Sequence, residues 1–419
     1  MTEEQPTQVI VVGAGPGGMM AAIKAAENGA QVTLLEKMAQ PGRKMRITGK
    51  GRCNITNAAD VPEIIRNIYG NGRFLNSCMR AFDNNDVIQF FEDNGVQTKV
   101  ERGQRVFPQS DKAQDCVDAM VHRVHELGVK LACEMPVKDI LTQSGHVAGV
   151  RTVSGAIVKG DAVILAVGGA SYPGTGSTGD GYAMAASLGH TIVPPRPSLV
   201  PLETEEAWVK SVQGLSLRNV RGTLLVDGAK KQELFGEMMF SHFGVTGPII
   251  LSISREVATL LQEQGHLLEL EINLKPALTP EQLDARLQRD FAKYQRKQLS
   301  NALVDLLPHK LIPVIIDNAF LTPEQPVNQL TVAARHQLVE ALQHLTLTLT
   351  RTRPLAEAIV TAGGVDVREI NPKTMESKLV PGLYFAGEVT DVDGYTGGYN
   401  LQAAFSMGAA AGQWSVWNA

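Results

Sequence analysis

Val9-Ile-Val-Val-Gly13-Ala-Gly15-Pro-Gly-Gly18-Met-Met-Ala-Ala-Ile-Lys-Ala-Ala26, followed by Gln31-Val-Thr-Leu-Leu-Glu36, decides the architecture. The β-branched run Val9–Val12 predicts a buried strand. Gly13 permits a tight turn, Gly15 lets a pyrophosphate approach, and Gly18 lets the following helix pack on the strand. Ala14, Pro16 and Gly17 complete the loop, and the amides at the helix start face phosphates. Gln31–Leu35 reads as a second strand ending in Glu36. That acid lies eighteen residues after Gly18, where a carboxylate accepts hydrogen bonds from an adenosine ribose. Alone, Gly-x-Gly-x-x-Gly is a weak signal. With strand, helix and acid in register it predicts a dinucleotide-binding unit, without separating NAD from FAD.

The flanking loop Pro41–Asn57 carries Arg43, Lys44, Arg46, Lys50 and Arg52 among Gly42, Gly49 and Gly51. A solvated basic face is one reading. The glycines favour another, a loop wrapping a pyrophosphate and ribityl chain with cations near an anionic cofactor. Cys53 reads either as a packing thiol or as one facing substrate. At the other end, Leu383-Tyr-Phe-Ala386 is a short strand closing on Gly387-Glu388. Gly397-Gly-Tyr-Asn400-Leu401 then opens a small-residue helix, Ala403 to Gln413. An acid at a strand end can bind ribityl hydroxyls. A glycine-rich helix start aims amides at an electron-rich ring edge, which suits a reduced isoalloxazine.

Length and composition bound the rest. At about 150 residues per domain, 419 residues suggest two or three domains. With 44% hydrophobic and 20% charged residues, a disordered chain and a disulfide mini-scaffold are excluded. A net charge of -4 gives no global basic footprint for nucleic acid. The acidic start, Met1-Thr-Glu-Glu-Gln-Pro6, lacks the basic and apolar regions of a secretory signal. No apolar run reaches the roughly 18 residues of a membrane span. Cys53, Cys78, Cys116 and Cys133 form no Cys-x-x-Cys pair, so zinc spacing and a redox dithiol are absent, and no metal is expected. A reducing, cytoplasmic setting fits best.

Residues 60–130 read as helical, with amphipathic stretches at Asn85–Glu92 and Ala113–Leu127. Val129–Ala132, Val137–Leu141 and His146–Val150 read as strands, and Ala162–Val167 as a buried strand ending at Gly168-Gly169. Gly174-x-Gly176-x-x-Gly179 matches the glycine pattern again. It does not immediately follow a strand, and we read it as a turn opening a helix at Asp180. Pro194-Pro-Arg-Pro197 marks a boundary. Beyond it come a hairpin signal at Asp227-Gly228 and a period-two strand at Leu268–Leu274. Thr279 and Gln282 suit a capping box, with Leu283, Leu287 and Phe291 as the buried face of a helix. Thr331 caps another helix ending near His344, and Leu345–Thr350 returns to strand. The expected organisation is a first domain of 1–193 and 356–419, a β-rich insert of 194–275 and 341–355, and a helical insert of 276–340. Within the β insert, Phe240–Pro248 places His242 beside glycines. It reads equally as a proton donor or as a surface histidine at an ordinary turn.

These blocks, together with Gly42-Arg-Lys44, Gly51-Arg-Cys-Asn54, Phe243-Gly-Val-Thr-Gly-Pro248, Gly363-Gly-Val365 and Gly397-Gly-Tyr-Asn400, resemble the BaiN/RdsA-like (YhiN-like) flavoproteins over essentially the whole chain. The resemblance implies an α/β fold. Its Rossmann-like FAD-binding domain, of glutathione-reductase and fumarate-reductase type, would be interrupted by a β-barrel-like insert carrying a helical subdomain. It implies non-covalent FAD, with NAD(P)H as reductant. The cofactor positions it implies are Gly13, Ala14, Gly15, Pro16, Gly17, Gly18, Glu36, Lys37, Arg43, Lys44, Gly49, Gly51, Arg52, Cys53, Asn54, Ala166, Gly168, Gly169, Gly387, Glu388, Asn400 and Leu401. Val137 matches the strand residue whose backbone meets the adenine. Family members are assigned to reducing activated C=C bonds, to saturating a uridine of large-subunit ribosomal RNA, or to oxidising aminoacetone. The leading expectation is a reductase of activated C=C bonds in a small molecule, with His242, Tyr172, Cys53 and Tyr395 as candidate acids or orienting groups. A dihydrouridine synthase, an amine oxidase using oxygen and a non-enzymatic flavin module are the alternatives. Arg286, Arg289, Lys293, Arg296 and Lys297 could serve the RNA reading or form a solvated face. Gly408-Ala-Ala-Ala-Gly412 predicts close helix packing, within a chain or between chains, and leaves the oligomeric state open.

Overall fold

The β-branched run of the opening stretch forms a strand, Gln8–Val12, flanked on both sides by parallel partners. In the computed structural model, which describes residues 6–263 and 265–418, this strand is the middle of a five-stranded parallel sheet. Met1–Gln5, on which the reading of the N-terminus partly rests, lie outside the described residues. The strand order is Leu383–Phe385, Ala162–Leu165, Gln8–Val12, Gln31–Leu35, Lys130–Ala132. Helices cover parallel sheets, so such strands are apolar throughout; all four residues of Ala162–Leu165 are buried.

The opening helix, Pro16–Glu27, joins the first two strands, and the closing helix, Tyr399–Trp417, packs along it. Small residues make that approach possible. A Cβ on Gly408 would run into the Gly17 carbonyl oxygen, and one on Gly412 into that of Ala21. The Gly408–Gly412 run therefore serves packing within the chain.

Residues 60–130 are not all helical. Thr98–Glu101 and Arg105–Pro108 form an antiparallel pair, joined by Thr56–Asn57. The turn between them uses positive φ at Gly103 (75°) and Gln104 (57°). Helical periodicity in the neighbouring segments hid these two short strands.

The described chain forms two compact units, residues 6–198 with 355–418, and residues 199–354. The first boundary falls later than the expected 193/194. Ile192–Ser198, containing Pro194-Pro-Arg-Pro197, is a strand paired with Val360–Val365. The ladder shifts register between Val193 and Arg196, which is where prolines without amide protons are tolerated.

The second unit is built on a closed six-stranded barrel, ordered Leu202–Thr204, Gly244–Thr246, Ala229–Phe240, Ser216–Val226, Leu268–Asn273, Leu345–Thr352. Asp227 (φ 52°) and Gly228 (φ 78°) make the hairpin turn. Helices lie between the last two strands, beginning with Pro280–Lys293, whose capping box is Thr279 with Gln282. Leu283, Leu287 and Leu338 share one hydrophobic core with Leu270, Ile272 and Leu345. Helices and barrel are thus one unit rather than two domains.

Candidate functional site

The phosphate end is built by the first turn and the second strand. The opening helix starts at Gly15 with no side-chain cap and Pro16 in its first turn, so its first amides have no intrahelical partner. A Cβ on Gly15 would meet no protein atom within 4 Å. Gly13 differs: it has φ 100°, and its Cβ would strike Ala166. Gly18 abuts the Gly13 carbonyl oxygen. The half-buried Glu36 accepts from the Ala14 amide at 2.8 Å through Oε2 and from the Met38 amide at 2.8 Å through Oε1. Carboxylate oxygens have further lone pairs, so ribose hydroxyls could still be received there. The Met135 amide donates to the Glu36 carbonyl oxygen at 2.9 Å, which brings the strand starting at Val137 alongside. Lys37 Nζ is held by Asp180 (2.8 Å) and Thr178 (2.6 Å).

The basic loop and the C-terminal motif meet in a polar cluster. Lys44 Nζ donates to Glu388 Oε2 at 2.8 Å and to Ser171 Oγ at 2.7 Å. Glu388 Oε1 also accepts from Ser171 Oγ at 3.0 Å and from the Thr361 amide at 2.8 Å. A Cβ on Gly169 would collide with Thr361 Oγ1, so that glycine makes room for the cluster. Gly168 beside it has φ 77°. Gly387 and Glu388 stand at the end of the strand Leu383–Phe385.

Two residues of the loop are engaged by the protein itself. Arg52 is not left free for a cofactor. It donates to Glu101 (2.6 Å) and Asp111 (2.9 Å) and lies 4.0 Å from the Phe107 ring centroid. Glu101, with Asp111, raises its already high pKa. Cys53 does not face substrate: it is fully buried in the core of the first unit, at φ 59°. The neighbouring Cys53 thiol, with burial, pushes the Cys116 pKa up. Arg43 and Lys50 are exposed, as are Gly49 and Gly51, and Gly51 has open space where a Cβ would be.

Asn54 ties this loop to the start of the closing helix. In the amide orientation that satisfies both ends, its Nδ2 donates to Val106 and Thr56 carbonyls (3.2 and 3.1 Å) and its Oδ1 accepts from the Gly398 amide (2.9 Å). Asn57 Nδ2 donates to the Gly397 carbonyl oxygen at 3.0 Å. Gly398 caps the helix with φ 97° and no side-chain hydrogen bond, leaving first-turn amides at the positive end of a 19-residue helix. Asn400 clamps the preceding loop by accepting from the Gly394 amide and donating to its carbonyl oxygen, both at 2.8 Å. Leu401 is half-buried on the same first turn.

Tyr172, 38% exposed, sits on a left-handed turn (φ 51°) next to Ser171. The Tyr395 ring packs edge-on to Tyr69, with centroids 6.0 Å apart. His242 belongs to the second unit. It is exposed between the strands Ala229–Phe240 and Gly244–Thr246, its ring 4.9 Å from that of Phe243. Ser171, Thr361 and Asn57 escaped the sequence reading. Ser171 adjoins a glycine pair that marks the loop, whereas nothing local distinguishes Thr361. Among the described residues no cluster of three or more His, Cys, Asp or Glu could hold a metal, and no helix is long and apolar enough to cross a membrane.

The family pattern described as HI0933-like protein Rossmann domain matches residues 7–414. The chain belongs to the HI0933-like family. It is 32% identical to the 3-dehydro-bile acid delta(4,6)-reductase of Clostridium scindens over 414 residues, covering 96% of this chain and 97% of that protein. It is 30% identical to the ribosomal RNA dihydrouridine synthase of Haemophilus influenzae over 415 residues, covering 97% and 98%. Among solved structures, 3-ketosteroid delta1-dehydrogenase from Sterolibacterium denitrificans aligns with a TM-score of 0.54 at 13% identity, over 99% of this chain and 100% of that one. This HI0933-like chain has a Rossmann-type FAD-binding fold, and its family is one of flavoprotein oxidoreductases. The resemblance carried by Gly51–Asn54 and Gly397–Asn400 therefore holds.

Proposed function

We propose that the protein is an FAD-dependent reductase of activated C=C bonds, drawing its reducing equivalents from NAD(P)H. The observation that carries this reading is the presence of two uncapped helix starts in one unit, at Gly15 and at Gly398. The first suits a pyrophosphate and the second the electron-rich edge of a ring. The end-to-end likeness to a bile-acid reductase supports the choice of reaction. Bound FAD would supply hydride transfer at its N5. The chain's own part is to bind, orient and supply a proton. In this reading Gly15–Gly18 take the phosphates and Glu36 takes the ribose, with the Val137 backbone beside the adenine. Lys44 and Glu388 set the ribityl end, and the amides of the closing helix favour negative charge on the ring edge. Tyr172, Tyr395 and His242 are the candidate proton donors. Burial removes Cys53 from that set. All four cysteines are free thiols, in keeping with a cytoplasmic setting.

The Haemophilus relative favours a second reading, reduction of uridine in ribosomal RNA. The basic stretch Arg286–Lys297 is partly neutralised. Arg286 is bonded to Asp290 at 2.8 Å and Lys293 to Asp305 at 2.7 Å, so two of its five charges are compensated within the chain. The test is anaerobic. The yellow protein is bleached with NADH or NADPH and then offered an enone panel or uridine-containing ribosomal RNA fragments. Reoxidation by enones alone supports the small-molecule reductase. Reoxidation by RNA, with dihydrouridine formed, supports the second reading. Reoxidation by air alone, with stoichiometric peroxide, sinks both.

A further inference from the structure

Tyr69 lies outside every motif considered so far. It belongs to the segment 67–71, which the chain ties firmly to the loop before the closing helix. The Gly70 amide donates to the Asp393 carbonyl oxygen at 2.9 Å and the Tyr395 amide to that of Asn67 at 2.9 Å. Asn71 Nδ2 donates to the Asp391 carbonyl oxygen at 2.7 Å and to Asp391 Oδ2 at 2.9 Å. Asn71 itself takes a left-handed φ of 56°, a conformation that costs free energy for a residue with a side chain. A Cβ on Gly394 would come within 2.9 Å of the Ile68 side chain and 3.0 Å of the Asn67 carbonyl oxygen, so the two segments are closely packed.

These ties hold an aromatic ring at the surface rather than in the core. Tyr69 is 45% exposed, yet its ring stands at 79° to that of Tyr395, 6.0 Å away. The pair thus meets edge to face while nearly half of Tyr69 stays open to solvent. Tyr395 lies three residues before Gly398, the helix start read above as the ring-edge end of the site. Asn400, in the first turn of that helix, donates to the Tyr395 carbonyl oxygen at 3.2 Å.

We propose that Tyr69 is a substrate-positioning residue: with Tyr395 it forms an aromatic wall against which a flat, conjugated ring carbonyl stacks. The inference rests on the reductase reading and deepens it by naming a residue that orients the substrate, a ring whose C=C bond is conjugated to a carbonyl. A steroid-like enone and a uracil both have that chemistry. Stacking uses the ring, not the hydroxyl, so Tyr69→Phe preserves the function and Tyr69→Leu removes it while keeping apolar bulk.

The experiment titrates the FAD-loaded full chain with 4-androstene-3,17-dione and, separately, with uridine, following the visible flavin spectrum. FAD content and the rate of reduction by NAD(P)H are measured alongside. We expect Tyr69→Leu to weaken binding about tenfold and Tyr69→Phe to stay within about twofold of wild type, from the usual worth of an aromatic contact. FAD content and reduction rate should be unchanged in both. The probe that responds identifies the source of the ring. Equal binding by Tyr69→Leu and wild type overturns the role of Tyr69 and leaves the reductase reading standing. Equal weakening by Tyr69→Phe and Tyr69→Leu moves the role to the hydroxyl and overturns stacking. A wild-type spectrum unmoved by either probe overturns the reductase reading, and the wall with it.

Discussion

Gly15 and Gly18 stand three residues apart and are glycine for different reasons. At Gly15 a Cβ would point into open space, while at Gly18 it would enter the Gly13 carbonyl oxygen. Gly15→Ala should therefore fold normally, within about 1 kcal/mol of wild type, and bind FAD at least about tenfold more weakly because a methyl group occupies the phosphate approach. Gly18→Ala should lose about 3 kcal/mol by overpacking before any ligand is considered. Thermal unfolding of both apoproteins, with FAD titration of Gly15→Ala, separates the two. Equal stability loss in both would remove the assignment of Gly15 to the ligand. A second residue carries a pH dependence. The His190 ring is buried between Glu369, bonded to Nδ1 at 3.0 Å, and Ser377, bonded to Nε2 at 2.8 Å. Burial lowers its pKa despite Glu369. The unfolded chain, with an ordinary value near about 6.5, takes up the proton first as pH falls. Stability from this site is thus present above about pH 6.5 and is lost on acidification towards the lowered folded value. Burial opposes ionisation of Glu369, but bonds from Thr191 and His190 outweigh it and hold its carboxyl below the usual range. Its loss therefore follows at lower pH. Urea midpoints at about pH 7.5 and about pH 5.5 should differ more in wild type than in His190→Gln. An identical pH slope in the two would exclude His190 as the source.

Among elements, the link between Thr56–Asn57 and the closing helix shows what local sequence can and cannot carry. The βαβ unit from Val9 to Glu36 was legible because turn, helix and acid are fixed by contiguous residues. The Gly51–Asn54 and Gly397–Asn400 blocks were each visible as motifs. Nothing in either says that Asn54 accepts from the Gly398 amide or that Asn57 holds the Gly397 carbonyl oxygen. The same distance in sequence hid the Lys44–Glu388 pair, so each was read as meeting the cofactor rather than the other. Arg52, and the substrate-facing alternative for Cys53, invite a ligand for a related reason. Basic and nucleophilic side chains in a glycine loop suggest a ligand, and only the fold reveals that Glu101 and Cys116 are waiting for them. Asn54→Ala should cost about 2–3 kcal/mol, since it leaves two carbonyls and an amide without this partner, and should weaken FAD binding through the helix start. Asn54→Asp keeps the acceptor for Gly398 and should recover FAD affinity more than stability. Thermal melts and FAD titrations of both variants check this, and an Asn54→Ala protein with wild-type FAD affinity would deny the helix start a role in binding.

At the scale of the whole molecule, the first unit is one hydrophobic structure made from two distant pieces of chain. Leu383–Phe385 completes the parallel sheet begun by Gln8–Val12 and Ala162–Leu165, and the closing helix fills the groove beside the opening helix. The second unit enters and leaves through neighbouring strands. Ile192–Ser198 runs antiparallel to Val360–Val365, with Ser198 opposite Val360. The ends created by excising 199–354 are therefore close enough for a short flexible linker, and closing such a loop costs little entropy. The second unit also has its own core, including Leu224, Phe240, Ile253 and Leu270. A chain in which 199–354 are replaced by a few Gly and Ser residues should fold, retain FAD and still be bleached by dithionite. The excised unit carries His242, one of the candidate donors of the proposed function. The excised chain should accordingly fail to reoxidise with enones under anaerobic conditions. A colourless, unfolded product would show that the flavin unit depends on its insert. A yellow product with full enone turnover would place all the chemistry in the first unit and remove His242 from the candidate donors.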